Sequence, residues 1–321
     1  MKCDKERSDF LPALFFLTPN FLGFSVFAVG PVVFSLIVSF SNYNIQRTVP
    51  FTWIGFTNYI ELWRDTRFWL YLINTGYLML GIPVAIACSL FLAVLLNQKL
   101  RGITTYRTLF YLPTFTAGVA VMLLWKALYS PTFGPINFGV EWLLGAVGLD
   151  GLEAPKWLIS TYNLLGLDVE QVRMTSRQWG LGAKDAIVIM GIWIVIGGNN
   201  MLLYIAALAN VPRQLYEAAQ IDGAGRWAQF RHITWPQLAP TTFFIIVMSC
   251  ILGLQGGFEQ ARVMTEGGPS GTTTTLVYYI YKKAFVEFQI GYASAIAWVL
   301  FSIIFAVTLV NWKFGSKATT Y

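Results

Sequence analysis

Charge is what this 321-residue chain has least of: 12% of it is Asp, Glu, Lys or Arg, against about 25% in an ordinary soluble domain. Hydrophobic residues make up 56%. A soluble helical protein of this length would need charged outer faces, so that class is excluded. Histidine occurs once, at His232, which excludes a multi-histidine metal site within the chain. Cys3, Cys88 and Cys250 are far apart, with neither metal-ligand spacing nor a disulfide framework. Cys88 and Cys250 lie in apolar runs, where the thiol behaves as a small hydrophobe. No Gly-x-x-x-x-Gly-Lys-Ser/Thr stretch exists, so ATP hydrolysis is not expected of this chain. Gly223-Ala224-Gly225 is a lone Gly-x-Gly without a preceding strand. The net charge of +6 is not gathered into a Lys/Arg run of the kind that binds nucleic acid.

What is present is a series of apolar runs that reach the roughly 20 residues a helix needs to cross a membrane. Six spans are expected, within Leu11–Phe40 and Phe68–Leu96, then over Thr108–Tyr129, Ala186–Ala209, Thr241–Phe258 and Gly291–Trp312. The first run is too long for the apolar core of a cleaved signal peptide and reads as a retained span. Pro19, Pro31 and Pro83 predict kinks. Lys2, Lys5, Arg7, Lys99, Arg101, Arg107, Arg213, Arg226, Arg231, Lys313 and Lys317 all fall in the short segments on one side, which places both termini in the cytoplasm. The longest loop, Ser130–Asp185, is then periplasmic. It carries turn signals at Ser130-Pro131 and Gly134-Pro135, and Trp142, Trp157 and Trp179 suit packing or a membrane surface.

Between the fourth and fifth spans lies a polar, partly basic loop over 210–240. Asn210 and Pro212 read as a helix start. Leu215, Ala218, Ala219 and Ile221 form a short apolar stripe, and Gly223 permits a sharp turn. A second short helix through Trp227, Phe230 and Ile233 is expected to end near Pro236. Pattern alone leaves two readings level: a surface for docking into a groove on a soluble partner, or an amphipathic loop lying on the membrane beside Arg213, Arg226 and Arg231.

Glu217-Ala218-Ala219, three residues, Gly223, nine residues, Ile233, and then Pro236 resemble the EAA motif of the membrane subunits of bacterial ABC importers. Asp222-Gly223-Ala224 matches a common variant; Trp235 stands where Leu is usual. The likeness covers nearly the whole chain. It includes Ile54-Gly55-Phe56-Thr57-Asn58-Tyr59, Asn74-Thr75, Tyr111-Leu112-Pro113, Trp125-Lys126, Gly134-Pro135-Ile136-Asn137 and Thr265-Glu266-Gly267-Gly268-Pro269. Thr274-Thr275-Leu276, Tyr279-Ile280-Tyr281 and Gly291-Tyr292-Ala293-Ser294-Ala295 continue it. The chain is similar to the permease type of maltose, lactose and glycerol-phosphate systems, with extra sequence around Thr161–Gly180.

That resemblance implies an all-α polytopic membrane protein of about six helices with the type I ABC importer transmembrane fold. It implies a cytoplasmic tail over 1–9, a permease domain over 10–314 and a second tail over 315–321. It assigns Glu217, Ala218, Ala219, Asp222, Gly223, Ala224, Ile233 and Pro236 to ATPase coupling. The implied partners are a second homologous permease, two ATPase subunits that bind ATP and Mg, and a periplasmic or lipid-anchored solute-binding protein. No cofactor, metal or catalytic residue is expected in this chain.

The spans carry almost no charge, whereas proton- and sodium-coupled carriers need titrating or ion-binding groups there. A stand-alone secondary carrier is therefore the weaker alternative. Neutral polar residues are present instead. Asn199 and Asn200 follow Gly197-Gly198, and Gln255, Phe258 and Glu259 lie near the end of the fifth span. Amides and aromatic faces suit a neutral sugar or polyol. The competing reading is that Asn and Gln bond across helices while Gly lets helices approach. Lys126 is the one basic group well placed for an anionic solute, so a neutral sugar is preferred.

Overall fold

The computed structural model describes residues 14–46, 50–98, 101–116, 118–149, 152–166 and 181–315. The tail over 1–9, residues 316–321, Lys99, Trp179 and residues 167–180 of the extra segment lie outside the described residues. In chain order the helices are α1 (Leu14–Val38), α2 (Thr57–Arg64), α3 (Thr66–Leu96), α4 (Ile103–Phe115), α5 (Gly118–Leu128), α6 (Pro135–Ala146), α7 (Ala183–Ala209), α8 (Arg213–Ile221), α9 (Arg226–Gln255), α10 (Leu276–Tyr281) and α11 (Ile290–Lys313). Among the described residues no strand forms, only the isolated bridges Ser41–Trp53 and Asn44–Gln289.

Helices α1, α3, α7, α9 and α11 are each long and apolar enough to cross a membrane. The third expected span is not one helix. α4 and α5 pass the same test only as a pair, and they are bent by 95°. The bend has a local origin: Pro113 cannot donate to the helix ladder, and Thr116 leaves helical geometry at ψ 133°. A second departure concerns Pro236. The loop helix does not stop there but runs unbroken into the fifth span as α9. A proline ring clashes with the carbonyl four residues earlier. For Pro236 that is His232, inside the π-turn Phe230–Thr234, where the wider coil makes room. Pro31 follows the same rule, since Phe27 lies in the π-turn Ser25–Val29.

The chain divides into two compact units, residues 14–65 with 279–300, and residues 66–278 with 301–315. In the first, buried Asn58 donates to the carbonyls of Ser39 at 2.8 Å and Ser41 at 2.9 Å. Gly291 donates its N–H to Tyr43 O, and an added Cβ at Gly291 would lie 2.1 Å from Ser41 O. The motif residues Asn58 and Gly291 thus hold one turn from two sides. Asp65 Oδ2 accepts from the hydroxyls of Tyr279 at 2.6 Å and Tyr292 at 3.0 Å. Burial, then the Asp65 carboxylate, push the Tyr279 hydroxyl well above its ordinary value, so it stays a neutral donor.

In the second unit, α3, α7 and α9 interdigitate around Ala93, Met201, Tyr204 and Leu238, each fully buried. A separate cluster joins Met122, Trp125 and Tyr129 to Trp157 and Met190. Asn74 and Thr75 of α3 hold the segment before α10. Asn74 donates to Gly271 O and Thr274 O, both at 3.0 Å, and Leu276 N donates to Thr75 Oγ1 at 3.1 Å. Within that segment Thr273 donates to Gly268 O and Thr274 to Gly267 O, so the Gly-Gly-Pro element folds back on buried threonines. Removing the Asn74 amide strands two carbonyls that water cannot easily reach. Asn74→Ala is expected to cost about 2–4 kcal/mol, seen as a lowered unfolding temperature of the detergent-solubilised protein.

Candidate functional site: the loop at 210–240 and the polar residues of the spans

Asn210 does not begin the loop helix. It closes α7 as its C-terminal cap, and Pro212 opens α8 in an extended conformation that fits a proline. α8 is amphipathic, yet none of its residues is buried. Its apolar side is open: Leu215 is 40% exposed and Ile221 is 87% exposed. Arg213 Nε lies 3.1 Å from Glu217 Oε1 in an exposed i,i+4 pair, an arrangement worth about 0.3–0.5 kcal/mol.

The last turn of α8 explains the spacing of the motif. Asp222 N donates to Ala218 O at 3.0 Å, Gly223 N to Gln220 O at 3.1 Å, and Ala224 N to Ala219 O at 2.8 Å. The carbonyls of Ala218 and Ala219 are therefore satisfied by the turn that follows them, as helix ends require. Gly223 makes that turn at φ +77°, the left-handed region that favours glycine. The chain then reverses into α9. Gln229 Nε2 donates to Ala224 O at 2.9 Å, and the hydroxyls of Tyr216 and Thr234 meet at 2.9 Å. α8 is thus tied to α9, a single 30-residue helix that continues into the membrane. Ile233 is half-buried and Pro236 exposed on α9.

The polar residues of the spans fall in two places. Asn199 begins a helical stretch of α7 just after the Gly197-Gly198 break, is exposed, and accepts from Tyr111 of α4 at 3.0 Å. Asn200 is half-buried. Gln255 ends α9 and is exposed; Gly257 then turns the chain at φ +83°. Phe258 sits edge-on to Tyr278 at 6.0 Å, with the Arg262 guanidinium 5.8 Å from its ring. Glu259 reaches the first residue of α5: an added Cβ on Gly118 would lie 2.5 Å from its Oε2. A carboxylate is favoured at the positive end of a helix, and the bend between α4 and α5 is what exposes that end. Among the described residues no hydrogen bond joins the Asn199 group to the Gln255 group.

One charged pair was not read from the sequence. The fourth span begins at Ala183 rather than Ala186, so Lys184 and Asp185 belong to it, at 1% and 6% exposure. Asp185 accepts from Gly182 N at 3.0 Å, from Tyr77 OH and from Leu164 N, while the Lys184 ammonium lies 5.4 Å from the Tyr77 ring. The signal was present as an acidic residue at the third position of an apolar helix, half of a capping box.

Residues 81–312 match the family described as "Binding-protein-dependent transport system inner membrane component". The chain belongs to this family. It is 36% identical over 320 residues to the "Probable ABC transporter permease protein YesP" of Bacillus subtilis (strain 168), covering 98% of this chain and 94% of that protein. It is 33% identical over 290 residues to the "Lactose transport system permease protein LacF" of Rhizobium radiobacter, covering 89% and 87%. A chain from the crystal structure of a bacterial ABC transporter involved in the import of the acidic polysaccharide alginate superposes with a TM-score of 0.79 at 22% identity, covering 100% of both chains. That likeness shows the fold, the transmembrane fold of ABC importer permeases. The protein is the membrane-spanning permease subunit of an ABC transporter, an inner-membrane component.

Proposed function

We propose that this permease forms half of the pathway for a neutral sugar or sugar-like solute and is driven by a separate ATPase through α8 and its turn. The observation that carries the coupling is the exposed apolar side of α8, tied to a helical extension of the fifth span. A surface of that kind, with no covering element among the described residues, fits the groove of a soluble partner. Both termini and this loop are then cytoplasmic. Glu217, Ala218, Ala219, Asp222, Gly223, Ala224, Ile233 and Pro236 form or support the docking surface. A second permease, two ATPase subunits holding ATP and Mg, and a solute-binding protein complete the importer.

Neutral solute chemistry is supported by the amides of Asn199, Asn200 and Gln255 and the ring of Phe258, which suit hydroxyl groups and sugar faces. Asn199, Asn200, Gln255, Phe258 and Glu259 are the path residues of this reading. Asn199→Ala, Asn200→Ala and Gln255→Ala are each expected to lower transport by about three- to tenfold, the loss of one hydrogen bond, with ATPase assembly intact. Uptake of labelled sugar into proteoliposomes measures this, and unchanged kinetics in all three would remove them from the path. The whole reading is tested by purifying the permease from native membranes in mild detergent. A second six-span protein and an ATPase should accompany it, and the binding protein can then be screened for its sugar. Purification alone, with transport that needs no ATP, would instead establish a secondary carrier.

A further inference from the structure

An apolar groove of about 730 Å³ runs along α3 and α9 and ends against Trp227, Phe230 and Trp235 at the start of α9. Its walls include Ile82, Ala87 and Phe91 of α3 and Ile246 of α9. The polar groups of Tyr204 and Thr242 that reach it are hydrogen-bonded to each other at 3.2 Å. A sugar would find little to bond there, so the groove suits a hydrocarbon chain.

The mouth has a different chemistry. Trp227 and Phe230 stack at 5.7 Å, and Trp227 and Trp235 are 72% and 46% exposed, as aromatic residues are at a membrane–water boundary. Arg226 lies four residues before Phe230, and Arg231 lies four residues after Trp227 and four before Trp235. That spacing sets each arginine on the helix face of an aromatic residue at the groove mouth. Both arginines are exposed, and among the described residues neither makes an ion pair. A hydrocarbon channel leading to two cationic groups matches an anionic phospholipid, with its chain inside and its phosphate outside.

We infer that this groove holds one anionic phospholipid of the cytoplasmic leaflet, with its phosphate on Arg226 and Arg231 and one acyl chain along α3. The choice of leaflet rests on the cytoplasmic placement of α8 proposed above. A lipid in this position abuts α9, the helix that joins the turn at Gly223 to the fifth span.

The test is native mass spectrometry of the full-length protein in mild detergent, with phosphatidylglycerol or phosphatidylcholine added as the probe. The unmodified protein should retain one phosphatidylglycerol and prefer it to phosphatidylcholine. R226Q/R231Q should lower phosphatidylglycerol retention by about tenfold and abolish the preference. Ala87→Phe, which fills the groove without touching the arginines, should lower retention of both lipids. Equal retention by the unmodified protein and both variants would overturn the proposal. So would efficient cross-linking of Ala87→Cys to a second permease in native membranes, because protein would then occupy the groove. Co-purification of the ATPase is scored in the same samples. Loss of lipid preference with the ATPase retained supports the lipid site, and absence of the ATPase from the unmodified protein would overturn the coupling reading alone.

Discussion

Gly223→Pro is expected to leave the permease in the membrane while lowering ATP-driven transport by at least about tenfold and releasing the ATPase during purification. Three effects act at one residue. Proline fixes φ near −65°, whereas Gly223 has φ +77°. It also removes the N–H that Gly223 donates to Gln220 O at 3.1 Å. The turn beyond it carries the bond from Ala224 N to Ala219 O, which would not survive a redirected backbone. Forcing a residue out of its conformation costs about 1–3 kcal/mol, and about 1.4 kcal/mol is tenfold in an equilibrium. The mutant series separates backbone from fold. Gly223→Asn should retain most transport, because Asn tolerates the left-handed region; Gly223→Ala should fall between. Glu217→Lys should also weaken ATPase capture, by placing two like charges four residues apart with Arg213. Normal transport and normal ATPase recovery in Gly223→Pro would show that the turn transmits nothing.

The turn after α8 was legible in the sequence because each of its devices is local. The end of α8, a left-handed glycine and the start of the return helix are all written within residues 213–236, and the structure places each there, although the return helix runs on past Pro236. Five of the six expected spans were legible for a similar reason, as hydrocarbon thickness sets their length. What could not be read was long-range. Asn74 bonds to Gly271 and Thr274, and no spacing rule links residues so far apart. The same holds for Lys184 and Asp185: an apolar window that starts at Ala186 excludes them, and their burial depends on Tyr77 and the segment around Leu164. The bend between α4 and α5 was hidden because hydropathy averages across it, although Pro113 and Gly118 flank it. The continuous helix across Pro236 was hidden because a π-turn leaves no mark in the hydrophobic period.

Gly197 and Gly198 look equivalent in the sequence, and the structure makes them very different. A Cβ on Gly197 would lie 2.0 Å from Phe110 O and 2.7 Å from Phe110 C, both backbone atoms of α4. A Cβ on Gly198 would meet Thr114 Oγ1 and Val195 O at 3.3 Å, a tight contact but not an impossible one. Gly197→Ala must therefore push α7 away from α4, and overpacking of this kind costs about 1–3 kcal/mol. The same shift pulls Asn199 from the Tyr111 hydroxyl, now 3.0 Å away. A large fall in unfolding temperature and a drop in transport of about tenfold or more are expected for Gly197→Ala. Gly198→Ala should stay within about 1 kcal/mol of the parent, so thermal unfolding of the two variants in one detergent decides the matter. Equal effects would mean that α4 and α7 do not pack as described. A selective Gly197 effect would establish that this glycine sets the distance between the third and fourth membrane segments, and with it the position of Asn199.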